Sequence, residues 1–192
     1  FSKTQKKEKQ KVTLYHFYSS TYTNFMITIL DYGEGNIKNV EKAFHYLNQE
    51  VLISNNVSDI TSADYLVVPG QGAFKQAMSQ LQALNLIDPI KQHIQQNKKF
   101  LGICLGFQIL FESSEEHGNV EGLGILPGHF KKIKSNTLKV PHMGWNKIQI
   151  KNNASMYNNI DNQSHVYFVH SYAISKTDEN IIASTSNYET EF

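Results

Sequence analysis

Phe100–Leu110 has the sequence FLGICLGFQIL, and Cys104, the only cysteine of the chain, stands near its centre. The apolar residues before Cys104 predict a short buried strand, and those after it, as far as Phe111, predict a helix. Gly102 and Gly106 flank the cysteine symmetrically, and small residues allow a sharp turn between strand and helix to close. The stretch therefore predicts a nucleophile elbow that carries a thiol.

Cys104 has two interpretations. In an elbow, the first backbone N–H groups of the new helix face the sulfur and favour the thiolate, which is the nucleophilic form. The alternative is a buried cysteine that packs as a small hydrophobic residue at the end of a core strand. The paired glycines and the strand-then-helix pattern favour the nucleophile.

Length and composition describe an ordinary soluble domain. The 192 residues suffice for one domain with a full core, and 40% of them are hydrophobic and 18% charged. A single cysteine excludes an internal disulfide and fits a reducing compartment. No apolar run approaches the roughly 20 residues that a membrane span needs. We therefore expect a cytoplasmic protein without a membrane partner.

The basic residues are unevenly distributed and chemically uniform. All 18 are lysine, which leaves no guanidinium group for bidentate recognition of bases or phosphates and argues against a nucleic-acid partner. Residues 1–25 carry five of these lysines but only one acid. We expect this segment to be a solvated tail or a spurious extension rather than a nucleic-acid or membrane arm, so that the domain begins at Met26 and extends to residue 192.

Strand-like and helix-like segments alternate in the first half of the domain. Strands are predicted at 27–30, 51–54, 65–68 and 100–103, and helices at 37–47, 73–84 and 89–96, with Asp88 as the cap of the last. This alternation predicts an α/β fold, a doubly wound and mostly parallel sheet flanked by helices. Beyond a glycine-rich connection at 118–128, strands are predicted at 130–133, 147–150, 166–169 and 181–184. A compact loop at 141–146 (PHMGWN) carries the only tryptophan.

Ligands of open parallel sheets bind beyond the carboxyl ends of the strands. Four segments are predicted at such ends: DYGEGN at 31–36, PGQG at 69–72, the Cys104 elbow, and His170-Ser171-Tyr172. Acyl transfer needs a nucleophile, oxyanion donors and a base. Cys104 supplies the nucleophile, and the N–H of Leu105 together with an N–H of Gly70–Gly72 is the predicted pair of donors.

The base is left open by the residues alone. Of the eight histidines, His142, His165 and His170 lie neither in the tail, nor on a predicted helix, nor directly beside the glycine-rich connection. Spacing favours His170, because it closes a strand at the same edge of the sheet as Cys104. A histidine that is simply hydrogen-bonded at the end of a strand fits the pattern equally well.

The quoted motifs carry a resemblance. Gly102–Gln108 resembles the nucleophile motif of triad-type, class I glutamine amidotransferases. The segments at 31–36, 69–74, 141–146 and 168–172 are similar to motifs of one group within that class, the glutaminase subunits of imidazole glycerol phosphate synthases of histidine biosynthesis. The resemblance runs from Met26 to the last residue. It implies a Cys-His-Glu site that hydrolyses glutamine and sends ammonia to a barrel-shaped cyclase subunit in a heterodimer, with no cofactor and no metal.

The resemblance also implies roles for individual residues. Cys104 is the nucleophile that forms a glutamyl thioester. The oxyanion hole is formed by Gly70, Gln71, Gly72 and Leu105, and glutamine is held by Gln108, Ser171 and Tyr172. The surface that faces the cyclase is formed by Pro141, His142, Met143, Gly144, Trp145 and Asn146.

Three departures from the family's pattern are visible. Gln71 replaces the usual valine and Phe107 the usual methionine, and both changes look tolerable. The family's base and its orienting carboxylate belong to a His-Pro-Glu motif, which is absent from these 192 residues. We therefore expect either a chain that lacks a C-terminal segment or an inactive version. The alternatives are a non-catalytic partner subunit and another cysteine hydrolase that uses His170 as its base.

Overall fold

The computed structural model describes residues 25–151 and 154–192, so the predicted tail lies outside the described part of the chain except for Phe25. The domain is built on a parallel sheet of four strands in the order β2-β1-β3-β4. These strands are β1 (Ile27–Leu30), β2 (Val51–Ser54), β3 (Tyr65–Gly70) and β4 (Lys99–Cys104). All four were predicted within two residues.

Four helices connect the strands: α1 (Ile37–Tyr46), α2 (Val57–Ser62), α3 (Phe74–Ala83) and α4 (Ile87–Gln95). From β1 the chain moves outward to β2, then returns past β1 to β3 and β4. Right-handed crossovers therefore place α1 on one face of the sheet and α2, α3 and α4 on the other. The predicted doubly wound α/β architecture is confirmed, although α2 was not predicted.

The core lies beneath the carboxyl ends of the central strands. Leu30 of β1 and Leu66 and Val68 of β3 are fully buried, as are Phe74 of α3 and Ile90 of α4. Burying a side chain of this size contributes roughly 1.5–3 kcal/mol relative to leaving it exposed. The packed core therefore fixes the ends of β1 and β3 next to the end of β4, where the chemistry was predicted.

The helix after Cys104 is much shorter than predicted. It ends within one turn as α5 (Leu105–Gln108), and Phe111 begins a strand, β5 (Phe111–Ser114). Phe111 packs edge-to-face against Phe107 and Phe130, at centroid distances of 5.2 and 5.3 Å. Pairing of β5 with a strand that is distant in sequence outweighs the local helical pattern.

A second layer of sheet follows α5. β5, β6 (Val120–Glu121), β7 (Leu126–Lys132) and β11 (Tyr172–Ile174) form a mixed sheet in the order β11-β7-β5-β6. β8 (His142–Lys147) and β10 (His165–His170) form an antiparallel pair. Four further strands among the described residues have two residues each and form two pairs: β9 (Gln149–Ile150) with β12 (Ser184–Thr185), and β13 (Asn187–Tyr188) with β14 (Thr190–Glu191).

Two predictions in this second half were wrong. The PHMGWN segment is not a loop, because His142–Lys147 is strand β8 and pairs with β10 along its whole length. Of the strand predicted at 181–184, Ile181 ends a 3₁₀ turn (Glu179–Ile181), residues 182 and 183 have no regular secondary structure, and only Ser184 lies in a strand, β12. Both errors come from short segments whose conformation depends on their pairing partner.

The cap of α4 also differs from the prediction. The helix begins at Ile87 with Leu86 as its N-cap, so Asp88 lies in the first turn instead of preceding the helix. Pro89 remains acceptable there, because the first N–H groups of a helix have no partner within the helix. Among the described residues, no helix is long and apolar enough to cross a bilayer.

Candidate active site

Cys104 stands on a sharp turn between β4 and α5. Its φ and ψ are 55° and −112°, a combination that is strained for any residue with a side chain. Its side chain is exposed. The structure therefore has the strand-turn-helix geometry of a nucleophile elbow at this cysteine. Because α5 has only four residues, a single turn of backbone N–H groups acts on the sulfur. The electrostatic stabilisation of the thiolate is therefore weaker than the longer predicted helix would give.

The two glycines beside the cysteine are required sterically. A Cβ on Gly102 would lie 2.6 Å from the carbonyl oxygen of Gly106 and 2.7 Å from the Cα of Phe107. A Cβ on Gly106 would overlap the carbonyl oxygen of Val68 in β3. The elbow can therefore close onto β3 only because neither position carries a side chain.

The predicted oxyanion segment lies directly beside the elbow. Gly70, the last residue of β3, is in register with Cys104 of β4. The position of a Cβ on Gly70 is only 2.9 Å from both the Leu105 Cβ and the Gly106 N. Gln71 and Gly72 follow as an exposed turn. The structure thus brings Gly70, Leu105 and Cys104 together, while the assignment of individual N–H groups to an oxyanion stays a prediction.

The loop after β1 packs against this segment. A Cβ on Gly35 would lie 3.1 Å from the Gly70 N, and one on Gly72 would lie 3.1 Å from the Glu34 Oε2. Glu34 itself is buried. DYGEGN and PGQG, which were both predicted at carboxyl ends of strands, are therefore in close contact.

A cavity of about 590 Å³ opens at Cys104. Gln108, His170 and Tyr172 line it together with the cysteine, and much of the remaining wall is apolar. Two of the three residues predicted to hold glutamine therefore share a cavity with the thiol. Ser171 is not among the lining residues, and its carbonyl oxygen accepts a hydrogen bond of 2.8 Å from the Ile133 N–H.

His170 lies on the cavity wall, but both of its ring nitrogens have partners. Its Nδ1 is 3.0 Å from the carbonyl oxygen of Tyr172, which can only accept, so Nδ1 carries the proton. Its Nε2 therefore accepts from the Nδ1–H of His142, at 2.9 Å. Its strand belongs to the β8-β10 pair, so the prediction that His170 ends a strand of the parallel sheet was wrong. This geometry does not favour His170 as the base for Cys104.

Burial makes the histidine pair sensitive to acid. Burial lowers the pKa of His142, and the neighbouring His170 lowers it further. Burial also lowers the pKa of His170, although its hydrogen bond to Tyr172 opposes the effect. His142 is only 3% exposed and stacks on Tyr188 with a centroid distance of 4.0 Å. Both rings are therefore held in the neutral form.

Stability is expected to fall as the pH decreases below about 6.5, the ordinary histidine value. Below this pH the two histidines bind protons in the unfolded chain but not in the folded protein. The melting temperature should therefore drop by a few degrees between pH 7.5 and 5.5. His142→Gln keeps an N–H donor for His170 and removes one titrating group, and it should flatten this dependence in thermal melts. His45→Gln, at an exposed position of α1, is the control. An unchanged slope in His142→Gln would contradict the assignment.

The other face of the β8-β10 pair is apolar and open to solvent. Trp145 is directly opposite Tyr167, and Met143 is opposite Val169. All four side chains are exposed, Trp145 to 70%. The residues of PHMGWN are thus divided: Met143 and Trp145 point outward, whereas His142 is buried. We call the set Met143, Trp145, Tyr167 and Val169 the hairpin face.

Comparison with known proteins agrees with this geometry. Residues 28–191 match the sequence profile of the family Glutamine amidotransferase class-I. Imidazole glycerol phosphate synthase subunit HisH of Syntrophotalea carbinolica is 41% identical, over 87% of this chain and 84% of the relative. HisH of Aquifex aeolicus is 42% identical, over 85% and 79%. The chloroplastic hisHF protein of Arabidopsis thaliana is 40% identical over 91% of this chain, which spans 30% of that longer protein.

Solved structures show the same fold at low sequence identity. A crystal structure of a glutamine amidotransferase superposes with a TM-score of 0.65 at 13% identity, covering 83% of this chain and 79% of its own. A glutamine amidotransferase from Thermotoga maritima gives a TM-score of 0.55 at 14% identity, covering 80% and 64%. The chain belongs to the class-I glutamine amidotransferase family and, within it, to the HisH subunits of imidazole glycerol phosphate synthase.

Proposed function

We propose that residues 26–192 form the glutaminase domain of an imidazole glycerol phosphate synthase in the cytoplasm. The domain hydrolyses L-glutamine to glutamate and ammonia, and the ammonia passes to the cyclase subunit for histidine biosynthesis. The observation that carries this proposal is Cys104, which stands on a strained elbow at the mouth of a cavity that Gln108 and Tyr172 also line.

The chemistry is a two-step acyl transfer. The thiolate of Cys104 attacks the carboxamide carbon of glutamine, and the carbonyl oxygen becomes an oxyanion that the Leu105 N–H and an N–H of Gly70–Gly72 stabilise. The C–N bond then breaks, and ammonia leaves with a proton from a general acid. Water hydrolyses the remaining thioester, which releases glutamate and restores the thiol.

The proton shuttle is a separate requirement. General acid–base catalysis typically contributes on the order of 10²–10⁴-fold to such reactions. His170 does not fit this role, because His142 and the Tyr172 carbonyl occupy its two nitrogens. The resemblance assigns the shuttle to a His-Pro-Glu motif. Gln108, Ser171 and Tyr172 are proposed to hold the substrate.

Ammonia and glutamate release from glutamine tests this function, measured on a protein that carries the His-Pro-Glu motif, with and without the cyclase subunit and its ligand. Turnover that rises when the cyclase is present supports a coupled glutaminase. Binding of the cyclase without any turnover supports a non-catalytic subunit. Turnover that does not respond to the cyclase supports an independent cysteine hydrolase.

The hairpin face is the proposed contact with the cyclase. An exposed tryptophan packed at 5.7 Å against Tyr167, beside Met143 and Val169, has the composition of an interface anchor. Because these residues lie outside the core, their removal should affect association more than folding.

Trp145→Ala should weaken cyclase binding by at least about 10-fold, the usual effect of truncating an aromatic hot spot. The melting temperature should change little, because the side chain is mostly exposed. Titration of the labelled cyclase subunit measures the affinity, and Tyr46→Ala, an exposed aromatic on α1, is the matched control. A large loss of stability with unchanged affinity would show instead that Trp145 serves the fold.

A further inference from the structure

Tyr32 is a buried residue that carries a polar hydroxyl group. It follows β1 by two positions, is 1% exposed, and belongs to the hydrophobic core cluster with Val68 and Leu105. Its hydroxyl has no hydrogen-bond partner among the residues that the structure describes. Unpaired buried hydroxyl groups are rare and destabilising, so this one calls for an explanation.

The hydroxyl points at the segment beside the elbow. A Cβ on Gly70 would lie 2.6 Å from the Tyr32 Oη, so the oxygen occupies space that any side chain at position 70 would need. Burial raises the pKa of Tyr32 well above its ordinary value, and the negative charges of Glu34 and Cys104 raise it further. The phenol therefore stays protonated at neutral pH and can act as a donor.

The order of the strands indicates which atom could accept a hydrogen bond from the Tyr32 hydroxyl. Gly70 ends β3, which lies between β1, the strand before Tyr32, and β4, the strand that ends at Cys104. In a trans peptide the N–H and the C=O point in opposite directions. If the Gln71 N–H is directed toward an oxyanion on the β4 side, the Gly70 carbonyl oxygen is directed away from β4. The Tyr32 side chain, which comes from the segment after β1, has its hydroxyl against Gly70 and so is near this carbonyl.

We propose that Tyr32 is a positioning residue for acyl transfer, whose hydroxyl donates to the Gly70 carbonyl when the Gln71 N–H faces the oxyanion beside Cys104. This role rests on the proposed glutaminase function. Because the hydrogen bond is absent from the resting structure and forms with the oxyanion, it stabilises the transition state and not the free protein or the bound substrate.

Tyr32→Phe tests this role, since it removes the hydroxyl alone. The probes are two thiol reagents: the chloroketone analogue of glutamine, whose addition to Cys104 passes through an oxyanion, and iodoacetamide, whose displacement reaction forms none. Chloroketone labelling should slow about 10- to 100-fold, the range expected for one hydrogen bond. Iodoacetamide labelling should be unchanged. In turnover, kcat should fall with KM unchanged. Tyr65→Phe, at the far end of β3, is the control.

Stability gives the independent readout. A hydroxyl without a resting partner contributes nothing to the fold, so Tyr32→Phe should melt at the same temperature as the wild type or higher. Unchanged chloroketone labelling overturns the role of Tyr32 alone. Slower labelling by both reagents, or a melting temperature lowered by several degrees, also overturns it in favour of a structural role. A wild-type Cys104 that reacts with iodoacetamide but not with the chloroketone overturns the proposed function together with this inference.

Discussion

In a protein that carries the His-Pro-Glu motif, replacing Cys104 by serine is expected to reduce glutamine hydrolysis by at least about 10³-fold, because the step that forms the thioester loses its nucleophile. A serine hydroxyl at the elbow is a much weaker nucleophile than the thiol unless a base activates it. The substitution exchanges one atom on an exposed side chain, so folding should not change. Glutamate release in the presence of the cyclase subunit measures the loss.

Two controls show whether the loss of activity in Cys104→Ser comes from the missing nucleophile. The serine variant should bind the cyclase as the wild type does, and it should lose covalent labelling by the chloroketone analogue at position 104. Activity within 10-fold of the wild type, or labelling at another residue, would show that the nucleophile lies elsewhere.

Gly106→Ala is expected to cause the largest loss of stability. The added Cβ would overlap the carbonyl oxygen of Val68, so β3 and α5 would have to separate at the point where the elbow closes. Overpacking of this kind typically costs 1–3 kcal/mol and occasionally more, and we expect at least about 3 kcal/mol here. Equilibrium urea denaturation measures this loss.

Gly124→Asn is the matched control for this substitution. Gly124 has φ of 62° and no atom within 4 Å of the position of its Cβ, and asparagine tolerates that backbone conformation. It should leave the free energy of unfolding nearly unchanged. Equal stability of Gly106→Ala and the wild type would contradict the close approach of α5 to β3.

Local sequence was sufficient for the four strands of the parallel sheet and for three of the helices between them. The strands at β1, β2, β3 and β4 are short apolar runs between turn residues, and the helices α1, α3 and α4 have clear helical spacing. The elbow at Cys104 was predictable for a similar reason, since Gly102 and Gly106 mark a close approach of backbones. These features depend on the residues that form them and on few others.

The second half required knowledge of distant partners. The helix after Cys104 stops because Phe111 begins β5 and packs on Phe130. PHMGWN forms a strand because it pairs with β10. A short apolar segment can adopt either conformation, and the segment that pairs with it decides between them. Without the pairing partner, the local pattern predicts a helix after Cys104 and a loop at PHMGWN.

The sequence by itself determined the fold class, the nucleophile elbow and the family, because each rests on adjacent residues or on motifs. Only the tertiary structure decided how the site is assembled. It paired both nitrogens of His170 and divided PHMGWN between the interior and the hairpin face. It also placed the Tyr32 hydroxyl against Gly70, which is 38 positions away. Such contacts are set by how strands are ordered and packed, and spacing along the chain does not encode them.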